Sequence, residues 1–246
     1  MKKSEKRSII HRHYQNALST IDLVNKIIGF IEDELDIETN KVMLADSWCS
    51  DDVNSIQYPA RASEFLGPFK LGGLDGFPFV GATGMSAFAN HVPHDGIALV
   101  LFGPHIGIST DGTLGTIHRI GQSEKTGCCG AAGAGLSKLA SDQIVPGHIT
   151  EIDYQMNVLE QIMLQQKNRI LDAESQIKEA TAVIYEAIEK RILKLVEQTS
   201  FDCKYILLVG VILINGDPQI GSFSNPQYAK LIDSHTKEEQ TILSLF

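Results

Sequence analysis

The chain has 246 residues, 43% of them hydrophobic and 21% charged, with a net charge of −9. These proportions are those of a soluble globular protein, and the acidic balance excludes a general nucleic-acid binder, which needs a basic footprint. No apolar run approaches the roughly 20 residues required to cross a bilayer, which excludes a membrane span.

The length suits one α/β domain over 1–246, with residues 1–40 as a helical arm. Its start, MKKSEKRSIIHRHYQ, is basic but has no apolar core of a secretory signal. The cysteines, Cys49, Cys128, Cys129 and Cys203, form no disulfide framework. A reducing cytoplasm is the expected setting, with the cysteines as ligands, nucleophiles or core residues.

In chain order, the first 36 residues read as helix, because Ile21, Leu23, Val24, Ile27, Ile28 and Ile31 recur at helical spacing. Residues 42–45, VMLA, read as a strand leading into ADSWCSDDVN. The next stretch, FLGPFKLGGLDGFPFVGATG, is dense in Gly and Pro and predicts tight turns or closely packed backbone. Residues 97–102, IALVLF, suit a buried strand ending at GPHIGI, and DGTLG reads as a turn. GCCGAAGAGLSKLA, at 127–140, reads as a loop entering a helix. Residues 150–199 read as helix in two pieces, with Thr150 and Asp153 as a capping-box-like start. The final buried strand is 205–214, YILLVGVILI. Strands alternating with helices predict an α/β sheet, largely parallel and flanked by helices.

Functional groups of open α/β sheets gather beyond the carboxyl ends of the strands. Cys49 follows the first strand, His105 follows the second, and Cys128 and Cys129 begin a helix. Two thiolates and an imidazole with an open fourth position are a catalytic zinc arrangement. A cation also accounts for a cysteine placed among Asp46, Asp51 and Asp52, since it keeps a coordinating thiol deprotonated despite negative neighbours. Either Cys128 or Cys129 satisfies this reading; Cys129 directly precedes the glycine and is favoured. Cys203 reads as a small core hydrophobe. His91 and His94 read as turn residues, and GCCGAAGAG matches no nucleotide loop.

The segments WCSDDVN, GGLDGFPFVGATGMSAFANHVPHDG, GPHIGI and CCGA, in that order, resemble the limiting-CO2-inducible B/C protein family. The strong match runs from about Cys49 to Ala132. The resemblance implies a fold like that of the β-carbonic anhydrases, and the family is also described as a θ class of carbonic anhydrase. It implies zinc held by Cys49, His105 and Cys129, an aspartate, Asp51, paired with an arginine, and a homodimer. Ordinary β-class enzymes carry C-x-D-x-R and H-x-x-C. Here Val53 stands at the arginine position, and His105 and Cys129 are far apart. Arg61 is the expected partner of Asp51, with Arg119 as the fallback.

The expected function is zinc-dependent hydration of carbon dioxide to bicarbonate, with Asp51 and Arg61 catalytic and Phe77 and Phe79 walling an apolar pocket. One rival keeps the zinc without turnover, as a bicarbonate-binding or scaffold protein. Another is a metal-free cysteine hydrolase with Cys49 as nucleophile and His105 as base.

Overall fold

The computed structural model describes residues 3–55 and 58–246. Helix α1 (Lys3–His11) leads to a short strand β1 (Leu18–Ser19) and helix α2 (Thr20–Gly29), which relaxes into a wider turn at Phe30–Glu34. The N-terminal segment expected as continuous helix is therefore broken. The physical reason is Ser19, whose side chain accepts from the Asp22 N–H and starts a new helix. Strands β2 (Val42–Ser47) and β3 (Leu66–Lys70), helix α3 (Gly81–Ala89), and strands β4 (Ile97–Phe102) and β5 (His105–Ile108) follow. A hairpin of β6 (Thr116–His118) and β7 (Lys125–Gly127) precedes helix α4 (Gly130–Ala140). The region expected as two helical pieces contains α5 (Tyr154–Gln165), α6 (Lys167–Leu171) and α7 (Gln176–Glu197). Thr150 forms half of the expected capping box, its hydroxyl accepting from the Asp153 N–H at 3.3 Å and donating to Asn157, but the N-cap residue of α5 is Asp153. Strands β8 (Tyr205–Gly216), β9 (Ser222–Asp233) and β10 (Glu239–Thr241) complete the chain.

Among the described residues, eight strands form one sheet with the path β1-β9-β8-β4-β2-β3; β5 pairs with β8 and β10 with β9. The pairs β2–β3, β2–β4, β4–β8 and β5–β8 are parallel, and β9 is antiparallel to β8. The central strands read as continuous apolar runs because both faces are covered. Ala98, Val100 and Phe102 of β4 join Ile206, Leu208, Ile212 and Ile214 of β8 in the larger core, with residues of α3, α4, α5 and α7. Ile97, Leu99, Leu101, Leu207, Val209, Val211 and Leu213 face the other side, with Leu23 and Ile27 of α2.

Strand β9 has no clear signal in the sequence, because Asn225 and Pro226 interrupt it. It pairs along the whole of β8 through a register shift at Gly210/Val211. β4 and β5 lie end to end along the same β8, separated by Gly103 and Pro104. Gly103 sits at φ +148, where an added Cβ would lie 1.7 Å from the Val211 carbonyl oxygen. Only glycine permits this approach, and the break carries His105 past the end of β4.

Candidate metal centre

Cys49 lies just beyond the carboxyl end of β2, His105 opens β5, and Cys129 is the N-cap residue of α4. These elements converge at one end of the sheet. One donor atom from each of Cys49, His105 and Cys129 lies within 4.8 Å of the others, and all three residues are buried. The hairpin that delivers the cysteines is tied to β5 by backbone bonds: the Gly107 N–H donates to the Cys128 carbonyl, and the Gly115 N–H to the Gly107 carbonyl.

The two nitrogens of His105 have different surroundings. Nδ1 is 2.8 Å from Asn215 Oδ1, whose own amide nitrogen donates to Val53 O and Asn54 Oδ1 at 3.2 Å each. This orientation makes Asn215 Oδ1 the acceptor and Nδ1 the donor. Nε2 is then left with a lone pair and no partner, though it is buried. A buried unpartnered polar atom costs on the order of 1–3 kcal/mol, so its retention needs an explanation. Two thiols and one imidazole nitrogen fit zinc in donor type and number. Asn215 stands where a metal-ligating histidine receives its orienting acceptor.

Asp75 is fully buried beneath the cluster. Its N–H donates to Cys49 Sγ at 3.1 Å, and its Oδ1 accepts from the His105 N–H at 3.3 Å. It occupies a left-handed conformation, φ 49, in the LDG turn. Gly76, at φ +77, packs this turn where a Cβ would lie 2.3 Å from the Gly103 carbonyl oxygen, and Ser47 Oγ donates to the Gly76 carbonyl at 2.8 Å.

The protein's own groups polarise the cluster. A hydrogen bond from Cys129 lowers the Cys49 thiol to about 4 against the effect of burial, with His105 adding to the drop. The same bond, burial and the nearby negative charges of Asp75 and Cys49 push Cys129 well above the ordinary thiol range. Burial works to lower His105, but the Cys128 and Cys49 sulfurs beside it and the charge of Asp75 raise it. Complete burial lifts Asp75 to about 7.

Asp51 stands beside this cluster in a bidentate ion pair. Arg119 Nη1 donates to Oδ1 at 2.9 Å and Nη2 to Oδ2 at 2.8 Å. Arg119 Nη1 also reaches Asp52, and Nε donates to Thr126 Oγ1. Burial alone would raise the Asp51 carboxyl, but Arg119, Asp52 and the Val53 N–H together outweigh it and hold it down to about 2. A carboxylate oxygen of Asp51 also falls within 4.8 Å of donor atoms of His105 and Cys128. Cys128 Sγ is 3.5 Å from His105 Nδ1, the nitrogen already engaged by Asn215, whereas Cys129 groups with Cys49.

Arg61, the arginine expected to pair with Asp51, is placed elsewhere. It sits in a 3-10 turn at Ala60–Glu64 and pairs with Glu32. The fallback, Arg119, takes the position because the β6–β7 hairpin folds it back over the site, whereas the turn carrying Arg61 packs near α2. Of the other residues singled out, Phe77 and Phe79 pair at 5.0 Å between ring centroids, and Phe79 meets Tyr154 edge-on. His91 packs edge-on against Phe69, His94 pairs with Asp202, and Cys203 is buried with Sγ 3.2 Å from the Tyr205 carbonyl. Asn215 and Asp75 escaped the sequence reading. Asn215 follows the last apolar strand directly, so the strand-end rule applied to β8 could have found it; Asp75 looked only like a turn residue.

The fold and this cluster define an α/β protein with a buried group of two cysteines and a histidine that could hold a metal ion. The model of limiting CO2-inducible proteins B/C beta carbonic anhydrases matches residues 18–233, and the chain belongs to that family. The crystal structure of PtLCIB4, a homolog of the limiting CO2-inducible protein LCIB, matches with a TM-score of 0.82 at 25% identity, over 95% of this chain and 98% of that one. The crystal structure of limiting CO2-inducible protein LCIB matches with a TM-score of 0.67 at 18% identity, over 94% and 96% of the two chains, a likeness of fold. Among curated proteins no sequence matches significantly. No helix among the described residues is long and apolar enough to cross a membrane.

Proposed function

We propose that this protein is a zinc-dependent carbonic anhydrase that interconverts carbon dioxide and bicarbonate. The observation that carries the reading is the convergence of Cys49, His105 and Cys129 within 4.8 Å, beside an aspartate clamped by Arg119. Cys49 Sγ, Cys129 Sγ and His105 Nε2 would hold the metal. Zinc bound there supplies a Lewis acid that lowers the pKa of a water it binds from 15.7 to ≈ 7.

The remaining work falls to the chain's own residues. Asn215 fixes the His105 tautomer, which keeps the Nε2 lone pair free. Asp75 holds the backbone N–H of His105 and donates its own N–H to Cys49, which favours the thiolate. Asp51, ionised across the neutral range, accepts a hydrogen bond from the reacting water and aims its lone pair at the substrate carbon. With both its oxygens engaged by Arg119, it is held back from the metal. This favours an open position over the closed, non-catalytic alternative. Phe77 and Phe79 would form an apolar wall for uncharged carbon dioxide.

The low pKa of Cys49 beside His105 also suits a cysteine nucleophile and its base, the metal-free hydrolase reading. The reading proposed extends to a homodimer, supported by exposed apolar side chains such as Ile120 and Ile152. It extends also to a cytoplasmic setting, supported by four free, buried cysteines. Elemental analysis together with stopped-flow carbon dioxide hydration tests it. About one zinc per chain with hydration activity is expected. Metal-free protein that hydrolyses esters would install the rival, and zinc-loaded protein without hydration would leave only a binding role.

A further inference from the structure

Hydration of carbon dioxide leaves one proton for every bicarbonate formed, and that proton must travel from the buried cluster to solvent before the next turnover. The structure contains a cavity of about 920 Å³ against the site, lined in part by Asn215 and Arg119, which touch His105 and Asp51 respectively. Four titratable or charged side chains line it: Lys6, Asp52, His118 and Arg119. Of these side-chain types, only imidazole both takes up and releases protons readily near neutral pH.

His118 is built into a specific setting. It ends β6, directly before Arg119, and its side chain is 44% exposed. Its Nδ1 lies 3.4 Å from Oδ2 of Asp217, a carboxylate with no exposed side-chain surface. Asp217 also accepts from the Thr110 N–H at 2.8 Å, the Thr110 hydroxyl at 2.9 Å and the His118 N–H at 2.7 Å. Burial alone would raise the Asp217 carboxyl, but these donors more than offset it and keep the group charged. An aspartate locked on Nδ1 fixes the tautomer, leaves Nε2 as the exchanging atom and compensates the imidazolium. Lys125 faces His118 across the hairpin but is paired with Asp111, and Arg119 beside it is committed to Asp51 and Asp52.

The geometry points to His118, positioned by Asp217, as the proton carrier of the hydration reaction, facing the 920 Å³ cavity that extends to Asn215 and Arg119 at the edge of the site. This assignment rests on the carbonic anhydrase reading. For each CO2 + H2O → HCO3⁻ + H⁺, the proton reaches His118 Nε2 through water in the cavity, giving imidazolium against the Asp217 carboxylate. A buffer base then removes it from the same nitrogen, restoring neutral imidazole. A volume of this size accommodates several waters.

The test compares zinc-loaded wild type with His118→Ala at equal zinc content. Hydration is followed by stopped flow in dilute and concentrated buffer, and oxygen-18 exchange between carbon dioxide and water separates interconversion from proton delivery. In dilute buffer His118→Ala should lose kcat on the order of 100-fold with kcat/KM unchanged. Added 4-methylimidazole should restore it, and the pH profile of kcat should lose its imidazole limb. Unchanged kcat in dilute buffer overturns the carrier assignment while leaving the hydratase reading intact. So does a loss that affects interconversion equally and that imidazole does not rescue. If zinc-loaded wild type shows no oxygen-18 exchange, the hydratase reading itself fails and takes this assignment with it.

Discussion

Replacing Arg119 by alanine removes both hydrogen bonds that hold Asp51, at 2.8 and 2.9 Å, from a pair whose side chains are only 18% and 16% exposed. Asp51 keeps one local donor, the Val53 N–H at 3.3 Å. A carboxyl held at about 2 rather than 3.8 corresponds to roughly 2.5 kcal/mol at neutral pH. Arg119 is the largest of the groups that offset burial, and its loss leaves a buried carboxylate without two charged hydrogen bonds, so Arg119→Ala should cost about 2 kcal/mol of stability. Because the folded pKa is depressed, this contribution is present above the unfolded value near 4. It disappears as the pH falls toward 2, so wild type and variant should converge in acid. Denaturant melts at neutral pH and near pH 2.5 read the difference. The kinetic effect should be larger: a released Asp51 no longer fixes the reacting water, and misplacement of this kind costs on the order of 100-fold in rate. Stopped-flow hydration at matched zinc content measures it. Arg61→Ala is the control, since Arg61 is half exposed and paired only with Glu32. A full hydration rate in Arg119→Ala, or a collapse in Arg61→Ala, would refute the assignment of the pair.

Asp51→Asn should retain zinc and lose most hydration activity, because the amide is nearly isosteric but is no longer a charged acceptor; loss of the metal by elemental analysis would instead make Asp51 a ligand. Cys49→Ser should lose most of the zinc while Cys203→Ser keeps it, as Cys203 Sγ touches only local backbone; equal zinc content in the two variants would refute the ligand set. Asn215→Leu should weaken zinc affinity by about 10- to 100-fold in chelator competition, because His105 Nδ1 loses its acceptor. Gly103→Ala should be strongly destabilised or insoluble, since its Cβ has no room beside the Val211 carbonyl; a wild-type thermal melt would contradict the packing described for the β4–β5 break.

Strand and helix existence was legible where burial is two-sided or the period is long. The runs 97–102 and 205–214 are apolar throughout because helices cover both faces of the sheet, and no partner need be known to read them. The GLDGFPF stretch announced close backbone packing through its glycines, and the Gly76 turn lies against the Gly103 carbonyl. Cys49, His105 and Cys129 were legible as candidates because each sits near the end or start of an element, where chemistry collects in such sheets. What brings their donor atoms within 4.8 Å is the packing of β2, β5 and α4, which no spacing along the chain encodes. The choice between Arg61 and Arg119 lay beyond the sequence for the same reason. Nearness in the chain favoured Arg61, ten residues from Asp51, but the hairpin return brings Arg119 across 68 positions to meet it. Strand β9 was hidden by Pro226, whose missing N–H is tolerated at a register shift against β8. The acceptor for His105 Nδ1 came from Asn215, 110 residues away. Local physics decides which segments are helix or strand. Which charged groups stand face to face is decided by how the layers close, because a side chain's partners are set by distance in space.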